Sequence, residues 1–157
     1  MAATGKLEVF VAGPLWREGT KDAPALHDFY GRLQVEGERA GASVQIPYEN
    51  KALALLDATS FTDEITRRIR NADAMLAVLL EPSGSRDFTN VSIGWETQVA
   101  AQAGKRVCIV AKDPRHVPRV LRAFSGDRHV YAIANLDYQR LFKDLASPPE
   151  RDRLSSV

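Results

Sequence analysis

Ala74-Met75-Leu76-Ala77-Val78-Leu79-Leu80 is an unbroken apolar run. A strand buried on both faces of a parallel sheet has this pattern, because helices cover it above and below. On its N-terminal side the spacing predicts a helix through Asn71, capped by Ser60 or Thr62, with Ile65 and Ile69 turned inward. On its C-terminal side Glu81 to Thr89, rich in Pro, Ser and Gly, reads as a loop. A second helix follows, with Ile93, Ala100 and Ala103 near one face and Glu96 among them. It ends at Gly104 and leads into another apolar strand, Arg106 to Ala111.

Further from this centre the alternation continues. Leu7 to Ala12 is a first strand, closed by Gly13-Pro14. Ala23 to Gly41 is a helix with Leu26, Phe29, Tyr30 and Leu33 on one face, and Ser43 to Pro47 is a short strand. Tyr48 to Ser60 is a loop with helical character at Lys51 to Leu56. Val117 to Phe124 predicts a short helix, His129 to Ile133 a fifth strand, and Leu136 to Leu145 a last helix. Strands separated by helices give a parallel sheet with right-handed crossovers. The expected fold is α/β: a flavodoxin-like, Rossmann-like three-layer sandwich around a five-stranded parallel sheet. Residues 1–146 form one domain, and residues 147–157, with prolines, many charges and little to bury, form a frayed tail. Ligands of such sheets bind at the carboxyl ends of the strands.

The 157 residues are 45% hydrophobic and 26% charged, with a net charge of +1. A domain of this length buries roughly 70% of its unfolded surface and needs no staples. The charge gives no global reason to bind nucleic acid or an anionic membrane. Cys108, the single cysteine, lies in an apolar run and reads as strand core. No disulfide framework follows from it, and no apolar run approaches the roughly 18 residues of a membrane span. The N-terminus lacks the apolar segment of a secretory signal, so the expected location is cytoplasmic.

There is no Walker loop, Gly-x-Gly-x-x-Gly, Gly-x-Ser-x-Gly elbow or His-Glu-x-x-His. His27, His116 and His129 share no metal-ligand spacing. No metal and no cofactor is expected. What remains is a carboxylate, Glu96, at the ligand edge of a sheet. A carboxylate in an apolar stripe is costly to bury unless it is paired or used. Such a group serves as a general base, or attacks an electrophilic carbon as in glycosyl transfer. The residues alone leave both open.

Three stretches in order resemble the nucleoside 2-deoxyribosyltransferase superfamily, which includes 2'-deoxynucleoside 5'-phosphate N-hydrolases. They are Phe10-Val11-Ala12-Gly13-Pro14; Ile69-Arg70-Asn71-Ala72-Asp73 running into Met75 to Leu80; and Ser92-Ile93-Gly94-Trp95-Glu96 with Ala100 to Lys105. The resemblance spans about residues 7 to 111 and implies a double displacement in which Glu96 attacks the anomeric carbon of a nucleoside or nucleotide. It implies substrate contacts from Gly13, Pro14, Asn90, Ser92 and Gly94, with Ser92 at a helix N-terminus. It also implies a phosphate partner in Arg17 and base stacking by Trp16 or Tyr48. The family's helper aspartate falls at Ile65 in this chain, so Glu64 or Asp63 would have to serve from the same turn. Ser92 and Gln98 replace family glycines. The resemblance further implies a homo-oligomer, dimeric or larger. Alternatives are a non-catalytic nucleotide-binding or signalling module, favoured by the missing helper, and an NAD glycohydrolase.

Overall fold

The computed structural model describes residues 5–13, 23–46, 57–79 and 88–149. Five strands, β1 (Leu7–Ala12), β2 (Ala42–Gln45), β3 (Ala74–Leu79), β4 (Arg106–Ala111) and β5 (Val130–Ala132), form one sheet in the order β2-β1-β3-β4-β5. Every neighbouring pair is parallel. The sheet is therefore the five-stranded parallel one that the alternation predicts. All six residues of β3 and all six of β4 are buried, which is why their sequences show no polar alternation.

Two apolar layers fill the spaces above and below. On one face Phe10, Ala12, Met75, Ala77, Leu79, Val107 and Ile109 meet Ile65 and Ile69 of α2 (Ala58–Asn71), Ile93 and Ala100 of α3 (Phe88–Gln102) and Leu121 of α4 (Arg119–Ser125). On the other, Val9, Val11, Leu76, Val78, Cys108 and Val110 meet Leu26, Tyr30 and Leu33 of α1 (Ala23–Arg39) and Leu141, Phe142 and Leu145 of α5 (Tyr138–Ala146). The period-2 alternation of each strand divides its side chains between the two layers. Burial pushes the Cys108 thiol up to about 12, so it stays protonated and packs as a small apolar group.

Local signals decide the element ends, and several differ from the sequence expectation. Asp57, rather than Ser60 or Thr62, caps α2: its carboxylate accepts from the Ser60 N–H at 2.8 Å. Helix α3 opens at Phe88, inside the stretch expected to be loop. The helix expected from Val117 is preceded by a 3-10 turn over Pro114–His116 and begins at Arg119. Pro118 at its N-cap has no N–H to continue a ladder backward. Strand β5 is shortened because Asp127–His129 turn as 3-10 helix. Helix α5 starts two residues late, at Tyr138, where Asp137 accepts from the Arg140 N–H.

The chain beyond α5 is held at its start. Buried Arg106 donates to the carbonyls of Ser147 at 3.2 Å and Pro148 at 2.5 Å. These are the first two residues of the expected tail, and the sequence offered no sign of the guanidinium that pins them. The expected loop at Tyr48 to Leu56 and tail residues 150–157 lie outside the described residues. Among the described residues, no helix is long and apolar enough to cross a membrane.

Candidate active site

The carboxyl ends of β1 and β3 lie side by side, with Ala12 paired to Ala77. Three segments converge on them: Gly13 leaves β1, α2 packs beneath the first layer, and α3 descends after β3. Glu96 sits on α3, in the ninth helical position, so it is about 12 Å along the axis from Phe88. Glu96 therefore lies deeper in the helix than the loop expected over Glu81 to Thr89 implies. Ser92 is correspondingly the fifth helical residue, past the first four N–H groups that a helix leaves open to an anion.

Around Glu96 the helix is apolar or internally satisfied. Ile93 is 2% exposed and Thr97 and Ala100 are fully buried. The Thr97 hydroxyl donates to the Ile93 carbonyl at 2.6 Å, which removes it as a donor to the neighbouring carboxyl. Trp95 and Val99 pack partly buried against the same layer. Glu96 is half-buried, and none of the described residues donates a hydrogen bond or an ion pair to its carboxyl. Burial disfavours the charged form and pushes the carboxyl up to about 8. Of the stripe expected from sequence, Ile93 and Ala100 are core, whereas Ala103 is only half-buried.

The two carboxylates expected to assist are placed elsewhere. Glu64 accepts from Arg67 at 2.6 Å and from Arg68 at 3.0 Å. Those guanidiniums hold its carboxyl down at about 2. Asp63 is exposed on the same outer face. Between them and the next turn, Ile65 points into the core at 5% exposure. Helical periodicity requires this division: when Ile65 and Ile69 face the sheet, residues 63 and 64 turn outward.

Gly13 stands where the predicted substrate loop begins. A side chain there would collide with its surroundings: an ideal Cβ would overlap the Tyr30 hydroxyl and lie 3.2 Å from Val78 Cβ. Among the described residues, Gly94 has open space around its missing side chain, with no atom within 4 Å. Asn90 and Ser92 are described in their backbone alone, as helical residues of α3. Pro14, Trp16, Arg17 and Tyr48 lie outside the described residues. Asp73, matched to a family aspartate, ties strands rather than facing a ligand: its carboxylate accepts from the Glu8 N–H at 2.8 Å.

Tyr30 and Thr97 adjoin the expected site residues Gly13 and Glu96 and were not singled out from the sequence. Tyr30 counted as one member of an apolar helix face, and the need for glycine at position 13 was its only trace. A separate groove of about 430 Å³, lined by Glu36, Arg39, Gln139, Phe142 and Lys143 among others, lies between α1 and α5. It contains none of the expected site residues.

The sequence matches no protein-family model and no curated protein. The structure is similar to several solved ones. A 2-deoxyribosyltransferase from Leishmania mexicana superposes with a TM-score of 0.52 at 21% identity over 68% of this chain. The alignment spans 65% of the length of that protein. A 2-deoxyribosyltransferase from Bacillus psychrosaccharolyticus gives 0.53 at 11% identity, covering 85% of this chain and 95% of its own. A CMP N-glycosidase from Clostridium botulinum gives 0.54 at 17% identity, covering 88% and 96%. At these identities the likeness establishes the fold that the sequence motifs suggested.

Proposed function

We propose that the protein cleaves or transfers the N-glycosidic bond of a nucleoside or nucleoside 5'-monophosphate through Glu96. The observation that carries this is a half-buried carboxyl without a described partner, set among apolar groups on the helix that follows β3. Such a group is costly to keep unless a ligand uses it. The named activities of the solved neighbours, deoxyribosyl transfer and CMP N-glycosidic cleavage, supply the reaction class.

In this mechanism an ionised Glu96 oxygen attacks the anomeric carbon. The bond from that carbon to the base nitrogen breaks, its electron pair leaves with the base, and the base takes up a proton. The sugar is then held as a glycosyl ester. Water attacks the same carbon in hydrolysis, or a second base in transfer; the attacking group gives up its proton to solvent, and Glu96 leaves as the carboxylate. Glu64 is not the proton donor here, because its two arginines keep it ionised. Gly13 and Gly94 contribute backbone that a substrate can approach, and Pro14, Trp16, Arg17, Tyr48, Asn90 and Ser92 complete the proposed binding set.

The test is chromatography of free base after incubation with nucleosides, their 5'-monophosphates and NAD, comparing wild type with Glu96→Gln. Release by the wild type alone supports the mechanism, and an acceptor base added to the mixture separates transfer from hydrolysis. Full turnover by Glu96→Gln would sink it. The buried Ile65, standing where a helper carboxylate would be, favours one other function: nucleotide binding without cleavage. Saturable heat of binding with no base released would select that.

A further inference from the structure

The Tyr30 hydroxyl occupies the volume in which residue 13 would carry its side chain. Tyr30 is 4% exposed and belongs to the layer formed with Leu26, Leu33, Val11 and Val78, on the side of the sheet opposite Glu96. Most of that layer is aliphatic, and a phenylalanine would satisfy it equally by area. The phenol oxygen extends one atom further, to the exit of β1. There it overlaps the ideal Cβ position of Gly13, and Val78 Cβ lies 3.2 Å from the same position. Real Cβ atoms essentially never show the first contact, so a side chain at position 13 would require the Tyr30 ring or the backbone to shift. The pair fixes how closely the chain leaving β1 lies against β3, at the edge where parallel sheets hold ligands.

We propose that Tyr30 is a positioning residue: from behind the sheet, it sets the height of the backbone at Gly13 and so the seat of the sugar presented to Glu96. The inference rests on the proposed function for its substrate, but not for its geometry. Tyr30 touches no reacting atom. Its effect is on how well a correctly shaped backbone meets the substrate, and small misplacements of that kind reduce rates steeply.

The experiment is a cycle of Tyr30→Phe, Gly13→Ala and the double variant, read in urea unfolding and in kinetics with cytidine 5'-monophosphate and the four 2'-deoxynucleoside 5'-monophosphates. Tyr30→Phe is expected to raise KM about threefold to tenfold with a smaller change in kcat. Gly13→Ala is expected to lose both stability and activity. In the double variant the methyl group takes the vacated space, so stability and KM both move back toward wild type, a non-additivity expected only of groups that share one volume. Additive losses in the double variant would overturn the proposal whatever the ligand. Wild-type KM and kcat in Tyr30→Phe would overturn it too, including the case where only its stability falls. Should the wild type bind these nucleotides without releasing base, the glycosidase mechanism fails alone, and the same KM criterion is applied to the dissociation constant. If the wild type binds none of them, both proposals fall.

Discussion

Replacing Glu96 by glutamine should stabilise the protein, and by an amount that depends on pH. The unfolded carboxyl titrates near 4.5, whereas burial raises the folded one to about 8. Below pH 4.5 both states hold the proton and the carboxyl imposes no penalty. Between 4.5 and 8 the unfolded chain releases its proton while the folded chain retains it, so stability falls as pH rises. Above 8 the folded group ionises as well and the loss levels off. Linkage gives at most about 5 kcal/mol for the whole interval. Glu96 is only half-buried, and solvent screening reduces this to roughly 2–3 kcal/mol. Glutamine keeps the shape and cannot ionise. Urea unfolding of both proteins at several pH values between about 4 and 9 isolates the effect, since every other titrating group is common to the two. Near pH 4 their stabilities should agree. By pH 8 the variant should be ahead by about 2 kcal/mol while releasing no base. A difference independent of pH would refute the shielding argument. A wild type that gains on the variant as pH rises would show that a cation pairs with the carboxylate.

The same titration governs catalysis if Glu96 is the nucleophile. At pH 7 about a tenth of the free protein carries it ionised, so kcat/KM should rise close to tenfold per unit up to about 8 and then level, as read from initial rates of base release. Glu64→Gln should leave turnover and the unfolding midpoint close to wild type, since its partners Arg67 and Arg68 hold it on the outer face of α2. Leu76→Ala, in the fully buried centre of β3, should cost about 2–5 kcal/mol in denaturant unfolding while the surviving folded fraction keeps its KM.

The sheet was legible because its central strands are buried on both faces, and continuous apolar runs at Met75 to Leu79 and Val107 to Ala111 leave few other assignments. The strand order followed from crossover rules rather than from any single residue. Element ends were less legible. Asp57 competes with Ser60 and Thr62 as a cap, and sequence cannot show which side chain the backbone brings within reach of a free N–H. Phe88 and Thr89 were assigned to loop because a Pro/Ser/Gly stretch precedes them, although the helix had already begun. Glu96 was singled out from its motif, but its raised carboxyl depends on burial in the folded chain, which no single position in the sequence displays. Glu64 illustrates the reverse. Its spacing from Arg67 and Arg68 was available in the sequence, and helical i,i+3 and i,i+4 geometry spends it on those arginines rather than on a substrate.

These placements set a condition on any ligand that makes Glu96 act as a nucleophile. Burial favours the protonated acid in the free protein, whereas the attack requires the carboxylate. A bound substrate can shift that balance only by interacting better with the ionised form. Charge developing on the sugar ring as the glycosidic bond stretches does so, because an oxocarbenium-like centre attracts a nearby carboxylate most strongly where water is excluded. The apolar wall of α3 would therefore act at the transition state: it destabilises the free carboxylate and strengthens its attraction to the cationic sugar. A polar replacement in that wall, such as Val99→Thr, should lower the Glu96 pKa and shift the rising limb of the pH profile toward acid. It should also reduce the plateau rate above pH 8. A lowered pKa with an unchanged or higher plateau would show that shielding stores no useful free energy for the reaction.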